Sequence, residues 1–94
     1  MTRVKWFIVV QPPANYGEPF DIPECSYTHA CQTARRYRQR GWKAILVPGN
    51  ARKVPWFVRG IGLDEVQVIA RSADEAIMLA RAKDPNYDEV QRVW

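Results

Sequence analysis

Apolar side chains occupy both alternating sets of positions from Val4 to Gln11, where Trp6, Ile8 and Val10 interleave with Phe7 and Val9. A segment apolar on both faces and rich in β-branched residues predicts a strand in the middle of a sheet, stopping at Pro12 and Pro13. After a loop containing Gly17, Asp21 is followed three residues later by Glu24, the spacing of a capping box, with Phe20 and Cys25 placed for a hydrophobic staple. The pattern therefore predicts a helix beginning near Asp21 and ending at Gly41. At about 100° per residue, Tyr27, Ala30, Cys31, Ala34 and Tyr37 share one face, and the small residues among them allow close approach to a sheet. The run 42–47 has strand composition and ends at the turn residues Pro48, Gly49 and Asn50.

The second half repeats this alternation of patterns. Residues 49–64 form a Gly- and Pro-punctuated connection, within which 54–58 reads as a short edge strand, because Pro55 is tolerated at an edge. Residues 65–71 alternate as a strand. Ser72 then caps a helix running to about residue 84, with Asp74 and Glu75 in its first turn, where the helix dipole favours them, and Ala73, Ala76, Ile77 and Ala80 on one face. A last strand is expected over 88–94. It opens with Asp88, Glu89, Val90 and Gln91, the same four residues as Asp64 to Gln67. This order predicts an α+β, ferredoxin-like β-α-β-β-α-β fold: one four-stranded antiparallel sheet, two helices on one face, a single compact domain over 1–94. The opening Lys5 to Gln11, followed by a helix and then Leu46, Val47 and Pro48, resembles the amino-terminal domain of NusG-type transcription factors. That resemblance implies a β-α-β core; it covers about half of the chain, and the second half does not match.

Composition narrows the class. Of 94 residues 47% are hydrophobic and 12% aromatic, ordinary globular values, and no run approaches the roughly 20 apolar residues of a membrane helix. The start has a basic residue and a short apolar run without a small-residue cleavage pattern, so a cytoplasmic location and no membrane association are expected. Cys25 and Cys31 are too few for a disulfide framework, and six residues along a helix would hold their Cα atoms about 9 Å apart. Reduced thiols are expected.

Charge is unevenly placed. The net charge is +4, yet from Cys25 to Leu63 there is no carboxylate, and Arg35, Arg36, Arg38, Arg40, Lys43, Arg52, Lys53 and Arg59 all fall in that stretch. Such a segment attracts phosphates or an acidic protein surface. Arg35, Arg36 and Arg40 are expected on the outer side of the first helix. In the connection, Arg52, Lys53 and Arg59 frame Trp56 and Phe57, a mixture of cations and rings suited to single-stranded nucleic acid and to protein interfaces, unless one ring folds back onto the sheet.

Chemistry of other kinds finds little support. His29 lies one turn after Cys25, but two ligands do not make a metal site. The place after the first strand where acylphosphatases carry a glycine-rich, arginine-bearing loop holds Pro12, Pro13, Ala14, Asn15, Tyr16 and Gly17 instead. No phosphate-cradling loop, carboxylate pair or nucleophile triad is discernible. The pattern therefore implies a non-enzymatic binding module without a cofactor or metal. Its expected partner is anionic, a nucleic acid or nucleoprotein complex, met by Arg35, Arg36, Arg40, Arg52, Lys53, Trp56, Phe57 and Arg59. The alternative is a phage-type protein inhibitor, similar to anti-defence or anti-CRISPR factors, that blocks a functional site on a host protein with an acidic surface. A homodimer formed through the uncovered sheet face is a further expectation.

Overall fold

The computed structural model describes residues 4–13 and 15–93. The chain divides into two compact units, Met1–Ala51 and Arg52–Trp94. The first contains β1 (Trp6–Gln11), β2 (Phe20–Glu24), α1 (Tyr27–Gln39) and β3 (Lys43–Pro48). The second contains β4 (Val54–Arg59), β5 (Val66–Ala70), α2 (Ala73–Arg81) and β6 (Glu89–Arg92).

The expected ferredoxin-like order with one four-stranded sheet is overturned. Two separate three-stranded antiparallel sheets form, in the orders β2-β1-β3 and β5-β4-β6, and each helix packs on the sheet of its own unit. The two helices therefore do not share one sheet face. Each unit is a β-β-α-β arrangement in which the first strand is central and its two neighbours flank it.

Two local readings produced the difference. Asp21 and Glu24, which have the spacing of a capping box, lie instead in β2, paired with Val9 and Trp6 of β1. β2 is an edge strand, where Pro23 is tolerated. The helix starts later: Ser26 is its N-cap, with its hydroxyl accepting from the His29 N–H at 3.2 Å. The second difference is β4, expected at an edge and found in the middle of its sheet. Pro55 lies opposite Ile69 on one side, and on the other its carbonyl accepts from the Val93 N–H at 3.2 Å. Proline cannot return that bond, and β6 ends one residue earlier, at Arg92. Trp94, the end of the expected last strand, lies outside the described residues.

In the first unit Ile8, Val10, Ala30, Ala34 and Ala44 form the buried cluster, with Trp6, Ile22, Tyr37, Trp42 and Leu46 packed against it. In the second, Val58, Val68, Ala70, Ala76, Ala80 and Tyr87 do the same, with Trp56, Leu63, Val66, Leu79 and Val90 around them. Both helices meet their sheets through two alanines a turn apart, Ala30 and Ala34 in α1, Ala76 and Ala80 in α2, all fully buried. Ser72, Ala76, Ala80 and Arg81 repeat Ser26, Ala30, Ala34 and Arg35 at the same spacing, so the two units share a helix signature as well as a strand order. α2 is as expected at its start, where Ser72 accepts from the Glu75 N–H at 3.1 Å. Glu75 is buried, and its carboxylate accepts from the Arg71 N–H at 3.0 Å.

Candidate functional site

The net charge belongs to one unit. Residues 1–51 hold seven Lys and Arg against three carboxylates, a net of +4, and residues 52–94 hold seven of each, a net of zero. Five of the first unit's cations fall between Arg35 and Lys43, at the C-terminal half of α1 and the start of β3. Cations in the last helical turn are favoured by the helix dipole, so local stability and a positive surface are served together.

The end of α1 builds this surface. Gly41 has φ +83°, a left-handed conformation that glycine takes without a Cβ penalty. The Gly41 N–H donates to the Arg38 carbonyl at 3.0 Å and the Trp42 N–H donates to the Tyr37 carbonyl at 3.1 Å. These two bonds close a Schellman motif, in which the residue after the glycine commonly packs on the residue three from the helix end. Here that pair is Trp42 and Tyr37, with ring centroids 5.5 Å apart. Two further rings join them. Phe20 of β2 meets Tyr37 edge-on at 6.0 Å, and Tyr16, from the loop between β1 and β2, meets Trp42 at 5.8 Å. The Arg40 guanidinium lies over the Tyr37 ring, 5.5 Å from its centroid, within reach of a cation–π attraction.

The arginines of α1 divide by role. Arg38 is tied down, its Nε and Nη2 donating to the Ala44 carbonyl at 3.0 and 2.7 Å. Arg35, Arg36 and Arg40 are exposed, as is Arg38 apart from those two bonds. Measured around the helix from the buried Ala30 and Ala34, Arg36 and Arg40 fall on one flank, a turn apart, and Arg35 on the other. The sheet-facing Tyr37 lies beside the first pair.

The remaining expected site residues are in the second unit. Arg52 and Lys53 are exposed, directly after Ala51 in the chain. Trp56 packs against the second unit's buried cluster and its indole N–H donates to the Ala70 carbonyl at 3.0 Å. Phe57, the next residue of the same strand, points to the opposite face, so the two rings do not form one surface. Arg59 is paired with Glu65 across the start of the β4–β5 turn. The ring cluster of Tyr16, Phe20, Tyr37 and Trp42 was not among the residues expected from the sequence. Gly41 flanked by Tyr37 and Trp42 at Schellman spacing was the available signal for two of them; the positions of Tyr16 and Phe20 depend on the β1–β2 pairing.

Elsewhere, Cys25 and Cys31 are free thiols. A hydrogen bond to Cys31, together with the charge that thiol would carry, pushes the Tyr27 hydroxyl above the usual tyrosine range. Among the described residues no three His, Cys, Asp or Glu side chains are grouped to hold a metal ion, and no helix is long and apolar enough to cross a membrane. An open groove of about 410 Å³ lined by Val4, Lys5, Trp6, Pro48 and Asn50 includes one ionisable side chain, Lys5, and no acid–base pair. No protein-family model, curated protein or solved structure matches the chain.

Proposed function

We propose that the chain is a binding module, not an enzyme, and that its first unit docks on the phosphates of a nucleic acid. The observation that supports this is the coincidence of the whole net positive charge with an exposed arginine pair, Arg36 and Arg40, set against the ring cluster at the end of α1. Arginine suits this role because its planar guanidinium can stack on a ring while its N–H groups face phosphate oxygens.

Titration of labelled DNA and RNA oligonucleotides at several salt concentrations tests the reading. Log affinity should fall linearly with log salt, by about 0.9 per neutralised phosphate on duplex and about 0.7 on single strands. Replacing both Arg36 and Arg40 with Ala should weaken binding to every sequence alike and make the slope shallower by roughly 1.4 to 1.8. Absence of salt-dependent affinity in the folded protein overturns the proposal. If the same arginine substitutions then abolished capture of one host protein, an inhibitor acting on that protein would replace it.

A further inference from the structure

We infer that the first unit prefers single-stranded nucleic acid, with a base stacked on Tyr16 while Arg36 and Arg40 hold neighbouring phosphates. This rests on the nucleic-acid reading above and adds the substrate class to it. The four rings form a row, Phe20, Tyr37, Trp42, Tyr16, whose inner two pack against the buried cluster and whose outer two reach solvent. Phe20 is 38% exposed and Tyr16 72%. A ring left this open, yet backed by a second ring anchored in the core, is a platform already in place before any ligand arrives, so little ordering entropy is lost on stacking. Trp42 is held by the Schellman bond to Tyr37, and Tyr16 by its N–H donating to the Pro13 carbonyl at 2.9 Å.

Cations alone do not distinguish nucleic acids from one another; rings do. A base pair in a duplex has both faces covered by its neighbours, so the row of rings adds nothing to duplex affinity. A single strand offers a π-face at every base, whatever the sequence, and leaves its phosphates to the arginines beside the platform. Arg40 over Tyr37 places a guanidinium against the row, and Arg36, one turn earlier on the same flank, continues the positive edge. The combination is that of a sequence-tolerant single-strand binder.

The test compares a labelled oligothymidylate, a blunt duplex of mixed sequence with the same length, and heparin, a polyanion without bases, on the full chain at one moderate salt concentration. The single strand should bind more tightly than the other two. Tyr16→Ala should weaken single-strand binding by roughly 5- to 140-fold, the range of one lost stack, with duplex and heparin affinities unchanged. Tyr27→Ala is the control, since Tyr27 is also an exposed aromatic of the first unit but packs at a tilt against Trp6, outside the row. Its single-strand affinity should match that of the parent. Thermal unfolding of each variant, together with its retained heparin affinity, separates a lost stack from a lost fold. Equal affinity for single strand and duplex, or a Tyr16→Ala effect no larger than that of Tyr27→Ala, overturns single-strand preference and leaves nucleic-acid docking standing. Failure of all three probes to bind overturns both.

Discussion

Arg36, Arg38 and Arg40 sit within about one turn of the same helix, and composition alone treats them as equals. Their surroundings do not. Arg38 spends two of its donors on the Ala44 carbonyl, joining the end of α1 to β3. Its replacement by Ala should therefore cost about 1 kcal/mol of stability in denaturant unfolding, the usual net worth of such a bond near the surface, and leave nucleic-acid affinity within a factor of two once the protein is folded. Arg36→Ala should show the reverse, a loss of stability no larger than the few tenths of a kcal/mol of an exposed helix-dipole interaction and a weaker complex. Similar losses of affinity from both substitutions would show that the helix presents a diffuse field rather than a site. Trp56 makes the same point from the other side. It stands among cations in the sequence, and the fold turns its indole onto the second unit's core.

At the scale of elements, helix termination and site construction are one event. Gly41 stops α1 in a left-handed turn, and that turn returns Trp42 onto Tyr37. A Cβ at position 41 would meet no neighbouring atom, so the penalty for Gly41→Ala is conformational alone. It should amount to about 1–2 kcal/mol, the cost of a left-handed conformation for an L-residue. Because the altered turn also loosens the Trp42 platform, single-strand affinity should fall more than heparin affinity does. An equal fall for both ligands would mean that the ring row and the turn are independent. The helix starts are built by simpler means. Ser26 and Ser72 each accept the N–H three residues on, and the paired alanines that follow let each helix lie close to its sheet.

For the whole molecule, the notable feature is one architecture used twice with different charge. Both units run β-β-α-β with the first strand central, and both carry the same serine, alanine, alanine, arginine spacing in the helix. Only the first has a net charge; in the second, carboxylates balance the cations, and Arg59 is directly paired with Glu65. Salt dependence should accordingly be a property of the first unit. Charge reversal by Arg40→Glu should make the log–log salt plot clearly shallower, and Lys83→Glu, an exposed site beyond α2, should leave the slope unaltered. Equal changes from the two would place phosphate contacts on both units.

The strands β1, β3, β5 and β6, the stop of α1 at Gly41 and the Ser72 cap of α2 were legible in the chain, because alternation, caps and glycine stops are local properties of neighbouring residues; the start of α1 was not, and α2 ends at Arg81, short of the expected residue 84. The basic stretch was equally legible, since it is a matter of composition. β2 was not, because Asp21 and Glu24 satisfy the spacing of a helix cap and Pro23 argues against a strand, until pairing with β1 supplies backbone partners and an edge position makes the proline harmless. β4 was legible as a strand but not as a central one, since Pro55 costs a single ladder bond at the place where β6 is already ending. Two sheets in place of one, and the meeting of Tyr16 and Phe20 with Trp42 and Tyr37, were likewise decided only in three dimensions. Alternation shows that a segment can pair; which strand it pairs with is settled by hydrogen bonds and side-chain packing between residues distant in the chain, and local spacing carries no record of that choice.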